Sequence, residues 1–338
     1  MLEPPSLAEA EISATVRAHY GVSTTAVTFL PLGNDYASWV YRVRTNEGRN
    51  LFLKVRASEG FSVSSLVVPH YLQERGVPHI VAPLPTIAQK LWVSVNDFAL
   101  SLYPFIDGQV GADLGLSEQQ WRAFGALLKQ IHTCQLPHEM LQLVPRESFI
   151  PSRRRVITEL EAAITNQTLA SVVECELAAF WHARRDDIRA LVDRADALGR
   201  QLRSTKAPQV LCHADMHTWN VLLDRKQHLW LIDWDEVVLA LKERDLMFVV
   251  GGIGGDRVGP HETACFLQGY GATAIDPNTL TYYRYAWAVQ DMAAYGERVF
   301  FSPDLGEDTR RAALQRFMDL FAPGNIVALA LASTSNTG

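Results

Sequence analysis

At 338 residues, 48% of them hydrophobic, the chain can bury a large core and suits one big domain or two lobes. A formal net charge of -6 argues against a general nucleic-acid binder and leaves room for a cationic small-molecule substrate. Cys134, Cys175, Cys212 and Cys265 stand far apart without a C-x-x-C pair, so reduced intracellular thiols are expected rather than a disulfide framework or a zinc ribbon.

The opening residues, MLEPPSLAEAEI, carry early acids and no apolar segment of the signal-peptide kind. No apolar run approaches the ~18 to 20 residues of a membrane helix. The expectation is a soluble, cytoplasmic protein without a membrane partner, a monomer or weak dimer, with a disordered tail over 333–338.

Ser6 with Glu9 reads as a capping box, and Ile12, Val16 and Tyr20 share a helical face that Gly21 closes. The period then becomes two. Trp39, Tyr41 and Val43 alternate with polar neighbours, Asn46, Glu47 and Gly48 turn the chain, and Leu51, Leu53 and Val55 follow in an antiparallel hairpin. Its second strand puts Lys54 on the face opposite Leu53 and Val55; alone, such a lysine would be a solvated edge charge. The turn 32–38 has a single glycine, Gly33, and its backbone amides and the Ser38 hydroxyl could meet phosphate oxygens. In 62–76, Pro69 belongs in a first helical turn, so that helix should start late. Segments 91–95 and 98–102 form a hairpin around Asn96-Asp97, and Tyr103-Pro104-Phe105-Ile106-Asp107-Gly108 has the look of a hinge.

From Ser117, capped with Gln120, the chain turns helical: Trp121, Phe124, Leu127, Leu128 and Ile131 share one face, and His132 reads as a structural histidine. Arg153 to Arg155 read as a solvated basic face, and a long helical pattern spans 169–200. Helices are expected again over 260–270, 278–300 and about 308–321. In the second of these, Tyr282, Tyr283, Tyr285, Trp287, Tyr295, Asp291 and Glu297 are either ordinary core with solvated charge or a site for an amine. Gly251, Gly252, Gly254 and Gly255 lack the following Lys-Ser/Thr of a phosphate loop.

The most informative stretch is 210–235, VLCHADMHTWNVLLDRKQHLWLIDWD, three short apolar strands with His213, Asp215, Asn220 and Asp233 set between them. Cys212, His213, Asp215 and His217 could be metal ligands, but they would all converge from one loop, and that reading leaves Asn220 and Asp233 without roles. Phosphoryl transfer uses Asp215, Asn220 and Asp233 together: a carboxylate to orient a hydroxyl, and an amide and second carboxylate to hold magnesium on phosphates.

The stretch resembles the catalytic segment of the aminoglycoside phosphotransferase family, H-x-D-x-x-x-x-N followed by a strand ending in I-D. The resemblance covers about residues 25–320. It implies an α+β, protein-kinase-like fold with two lobes: a nucleotide-binding lobe over 1–103 built on an antiparallel sheet, a hinge at 104–108, and a larger, mainly helical catalytic and substrate-binding lobe over 109–332. It implies ATP and Mg²⁺ as cofactors, Asp215 as the catalytic carboxylate, Asn220 and Asp233 as metal ligands, and Lys54, Ser38, the Pro104 carbonyl and the Ile106 N–H as nucleotide contacts. His213 and Asp245 would support the loop, with substrate contacts at Trp219, Asp235 and Asp291.

Three departures stand out. Ala214 replaces the family's usual glycine, Trp219 stands where a small residue is common, and the helix after the hairpin lacks the glutamate that usually pairs with the strand lysine. The strings YPFI, HADMHTWN, IDWDE and KERDLMF are most like the spectinomycin-phosphorylating branch, which implies an aminoglycoside or aminocyclitol acceptor and antibiotic resistance. The alternatives are a metabolite kinase of the choline, homoserine or sugar type and a nucleotide-binding pseudokinase; the intact Asp215, Asn220 and Asp233 set argues against the latter.

Overall fold

A computed structural model of the chain describes residues 3–33, 37–59, 61–166, 169–205, 207–250, 253, 258–303 and 305–332. Part of the 32–38 turn, the four glycines between 251 and 255, and the 333–338 tail lie outside the described residues. Two compact units result, Met1–Pro145 with Thr218–Val237, and Arg146–His217 with Val238–Gly338. This partition differs from lobes divided at 104–108, because residues 109–145 and the strands at 221–231 both join the first unit.

The first unit is built on a five-stranded antiparallel sheet in the order Thr24–Leu30, Ser38–Thr45, Asn50–Ala57, Phe98–Pro104, Val93–Val95. Period-two alternation sends Leu51, Leu53 and Val55 into a core shared with Tyr41, Val43, Leu100, Leu102 and the Ile12 and Val16 face of helix Glu9–Tyr20. Gly21 ends that helix as expected, with φ 68° and its amide donating to the Arg17 carbonyl. The start differs from the Ser6–Glu9 box: Ala8 is the cap residue, and its amide donates to the Glu11 carboxylate at 3.1 Å. Strand Thr24–Leu30 was not evident from sequence because it is a half-exposed edge in which Val27 alone is buried.

Helix Ser64–Glu74 corrects the late start inferred from Pro69, which lies inside it. Losing one hydrogen bond and bending a turn costs about 3 kcal/mol, whereas burying Leu66, Val68 and Leu72 returns about 1.5–3 kcal/mol each. The burial wins. A second, three-stranded sheet runs Gly108–Val110, Val221–Asp224, Leu229–Leu231. A Cβ on Gly108 would lie 2.4 Å from the Leu223 carbonyl oxygen, so only glycine permits this strand approach. Helix Glu118–Thr133 carries the anticipated box, with the Gln120 amide donating to Ser117 Oγ and the Ser117 amide to Gln120 Oε1.

The second unit is mainly helical. Its axis is helix Pro277–Phe300, capped by Asp276, which packs against Arg154–Asn166, Val172–Ala183, Arg185–Arg203, Glu307–Asp319 and Ile326–Ala332. Tyr282, Tyr283 and Tyr285 are buried, so these tyrosines are core rather than a ligand surface. The helical pattern over 169–200 breaks at Arg184, and the arginines at 153 and 154 are paired with Glu297 and Asp196 rather than freely solvated. Helix Pro260–Tyr270 has the bounds expected. Strands Val210–Cys212 and Val238–Ala240 pair antiparallel and lead into the short helix Glu243–Leu246. No helix among the described residues is long and apolar enough to cross a membrane.

Candidate functional site

Each unit carries part of the anticipated residue set. In the first, the strand Asn50–Ala57 lies between Ser38–Thr45 and Phe98–Pro104, with Lys54 opposite Val40 and Ser101, and Arg56 opposite Ser38 and Ala99. Because Leu53 and Val55 claim one face for the core, Lys54 and Arg56 share the other. Lys54 Nζ lies 2.7 Å from Asp233 Oδ1 and 2.6 Å from Asp235 Oδ2. Arg56 Nη2 donates to Asp235 Oδ1 at 2.6 Å, and its Nη1 to Ser101 Oγ at 3.3 Å.

The two aspartates are delivered by backbone clamping. Leu231 donates to the His79 carbonyl and accepts from Val81, and the Ile232 amide donates to the Asn220 carbonyl at 3.0 Å. The chain then turns through Asp233 at φ 62°, and Trp234 buries between the two acids. Burial opposes charge on Lys54, but the Asp233 and Asp235 carboxylates outweigh it and raise the ammonium above lysine's ordinary value. Burial likewise opposes charge on Asp235, and Lys54 and Arg56 prevail, holding its carboxyl well below the usual range.

The partner that the helix does not supply comes from elsewhere, and one anticipated substrate contact is already engaged. Lys54 does have carboxylate partners, though none comes from helix Ser64–Glu74. Asp235, anticipated as a substrate contact, instead has both oxygens engaged by the chain's own cations. Sequence reasoning missed Arg56; the signal was its spacing two residues beyond Lys54 on a strand, which places both on one face.

Asn220 is buried at the end of a 3-10 turn, Thr218–Asn220, while Trp219 beside it is 59% exposed. Ser38 is buried, and its hydroxyl makes no hydrogen bond among the described residues. Pro104 ends its strand opposite Leu51. Ile106 packs against an apolar cluster of Leu66, Val81, Leu91 and Tyr103.

In the second unit, the strand Val210–Cys212 runs into fully buried His213 and then Ala214 at φ 67°. Asp245 accepts from both amides at this bend, from His213 at 3.0 Å and from Ala214 at 2.6 Å. The Asp215 amide donates to His213 Nδ1 at 3.3 Å, and His217 Nε2 lies 3.0 Å from Asp215 Oδ1. The His217 ring stands edge-on to Phe248, which stands edge-on to Trp287, and the Arg244 guanidinium lies 5.0 Å from the Trp287 ring. Asp291, on helix Pro277–Phe300, has its pKa pushed up to about 7 by burial and then by the Asp215 charge, against the pull of His217, Arg298 and Arg244.

This geometry does not suit the metal-cluster alternative for 212–217. The Cys212 thiol is buried and pushed well up, donates weakly to the Ala240 and Leu241 carbonyls, and is no ready thiolate; His213 Nδ1 already accepts from Asp215. By contrast, Asn220 and Asp233 offer an amide and a carboxylate, hard oxygen donors that suit Mg²⁺. Their main chains are tied together by the bond from Ile232 to Asn220, and Asp233 keeps 43% of its side chain accessible.

Comparison with known proteins fits this chemistry. A spectinomycin phosphotransferase, APH(9)-Ia, solved in complex with ADP and spectinomycin, is 29% identical, with a TM-score of 0.87 over 98% of this chain and 99% of that one. Amicoumacin kinase hAmiN, solved with AMP-PNP, Ca²⁺ and Ami, shares the fold at 16% identity and a TM-score of 0.64, over 96% of this chain and 97% of that one. Protein StrN of Streptomyces griseus is 24% identical over 299 residues, 85% of this chain and 84% of its own length. The fold is thus the expected kinase-like α+β type, with an antiparallel sheet and a mainly helical part. The profile described as the phosphotransferase enzyme family, APH, matches residues 28–286, and the chain belongs to that family.

Proposed function

We propose that the protein is an ATP- and Mg²⁺-dependent O-phosphotransferase whose acceptor is spectinomycin or a closely similar aminocyclitol, acting in the cytoplasm and conferring resistance. The observation that carries this reading is the likeness, over nearly the whole chain, to a protein solved with ADP and spectinomycin.

The chain's own residues supply the required roles. Asp215, the two residues before it held by Asp245 and one oxygen near His217, orients the acceptor hydroxyl and takes its proton as the ester forms. Lys54 places a permanent positive charge where phosphate oxygens bind, and the buried Ser38 hydroxyl, without a protein partner among the described residues, suits the same ligand. The Pro104 carbonyl and the Ile106 N–H would hold the base beside an apolar cluster that includes Tyr103. Asn220 and Asp233 would hold Mg²⁺, which when bound neutralises charge on the phosphates. Asp291 as a carboxylate would pair with a substrate ammonium, and exposed Trp219 would add an apolar wall for the acceptor. We expect a monomer or weak dimer.

A coupled ADP-release assay against spectinomycin, other aminoglycosides, choline and aminopropanol tests the reading. Turnover with spectinomycin at micromolar to low millimolar KM is expected. Turnover with choline or aminopropanol alone would reassign the acceptor, and no acceptor-dependent ADP release would remove the transferase reading.

A further inference from the structure

The paired cations on strand Asn50–Ala57 meet paired acids two residues apart, and the four groups do not share their contacts equally. Lys54 bridges Asp233 and Asp235, but Arg56 binds Asp235 alone, through Nη2 at 2.6 Å. Asp235 therefore has one oxygen on each cation, whereas Asp233 has one oxygen on Lys54 and the greater exposure, 43% against 29%. Arg56 is itself fixed. It is buried, Nη1 donates to Ser101 Oγ on the neighbouring strand, and its guanidinium lies 5.8 Å from the Phe61 ring.

We propose that Asp235, locked by Arg56, is the positioning residue that anchors the Lys54 ammonium for nucleotide phosphates, while Asp233 is an exchangeable partner free to turn to a divalent cation. The proposal rests on the nucleotide-binding reading above. A metal at Asp233 competes with Lys54 for carboxylate charge, so a lysine held by Asp233 alone would lose its tether when the metal arrives. With Asp235 on its other side, it keeps one short ion pair throughout. The strand's period of two puts both cations of K-x-R on one face, and D-x-D meets them from the turn that follows Leu229–Leu231, where Asp233 sits at φ 62°. The helix Ser64–Glu74 then needs no acid for the purpose, and its first turn accordingly carries none.

The two aspartates can be told apart by equilibrium binding of AMP-PNP to the full-length protein, measured by calorimetry with magnesium and with EDTA. Asp235→Asn should weaken binding at least tenfold with magnesium, where the metal takes Asp233 and leaves Lys54 untethered, and by less in EDTA, where Asp233 still holds the ammonium against the repulsion of an Arg56 that has lost its carboxylate. Asp233→Asn should weaken binding with magnesium only, and in EDTA should match or exceed the wild type, because it leaves Asp235 on Lys54 and removes a charge that repels phosphate. Arg56→Lys, a milder change, should weaken binding about threefold in both conditions, and it serves if Asp235→Asn fails to fold. For active variants, the KM for ATP should rise while the KM for the acceptor stays within twofold, a split that general destabilisation would not produce. Equal behaviour of Asp233→Asn and Asp235→Asn in EDTA, or unchanged affinity in Asp235→Asn and Arg56→Lys, would overturn the anchor. Failure of the wild type to bind AMP-PNP at all would instead sink the nucleotide reading itself.

Discussion

The Asp245 carboxylate accepts a hydrogen bond from the Ala214 amide at 2.6 Å, and its other oxygen accepts from His213 at 3.0 Å. One fully buried side chain thus fixes both peptide units that lead into Asp215. Replacing it with alanine strands two buried amides, each costing about 1–3 kcal/mol. Asp245→Ala should therefore lower stability by about 3–5 kcal/mol and reduce turnover at least a hundredfold; thermal melts and steady-state kinetics would show both.

At the same bend, Ala214 sits at φ 67°, where a Cβ costs about 1–2 kcal/mol. Ala214→Gly removes that strain but adds about 0.5–1 kcal/mol of unfolded-chain entropy. The strain relief is larger, so the variant should gain about 0.5–1 kcal/mol in urea unfolding. A loss of stability would mean that the alanine methyl contributes packing exceeding its strain.

Asp291 gives a pH signature. Burial, and then the neighbouring Asp215 charge, raise its pKa from the ordinary 3.8 to about 7. Between those values the folded chain keeps a proton that the unfolded chain has released, so stability falls as pH rises through the window and levels off above it. Asp291→Asn cancels that loss and should be the more stable form above pH 7, by up to about 4 kcal/mol at about 1.4 kcal/mol per pKa unit. The acceptor's KM should fall as pH rises through about 7 in the wild type, as the carboxylate becomes available to an ammonium, and should be higher and flat in the variant. Urea titrations and KM measurements from pH 5 to 9 check both.

Gly108 offers a test of the small sheet. A Cβ there would stand 2.4 Å from the Leu223 carbonyl oxygen, which is backbone and cannot swing away. Gly108→Ala should cost about 2–3 kcal/mol by forcing the strands Gly108–Val110 and Val221–Asp224 apart. Amide exchange should accelerate selectively over residues 221–224.

Much of this was legible in the chain because its signals are local. Period-two alternation marked the hairpin bearing Lys54, Asn96-Asp97 marked the next turn, and the spacing from His213 to Asp233 carried the family resemblance. What escaped depended on tertiary context. Thr24–Leu30 is an edge strand with little alternation, and Pro69 is tolerated inside a helix because burial of its neighbours outweighs one lost hydrogen bond. Asp235 read as a ligand contact because a carboxylate beside a catalytic motif looks available; only the fold shows Arg56 and Lys54 already on its two oxygens. The tyrosines of Pro277–Phe300 were readable either as core or as an amine site, because their burial is set by helices distant in sequence.

The central claim is phosphate transfer to an aminocyclitol hydroxyl with Asp215 as the orienting carboxylate. The direct measurement is mass spectrometry and phosphorus NMR of spectinomycin incubated with the protein, ATP and magnesium. The account predicts a single phosphate ester on the antibiotic, and none when Asp215→Ala replaces the wild type while that variant still binds AMP-PNP. Unmodified spectinomycin in the wild-type reaction, or the same ester formed at wild-type rate by Asp215→Ala, would contradict it.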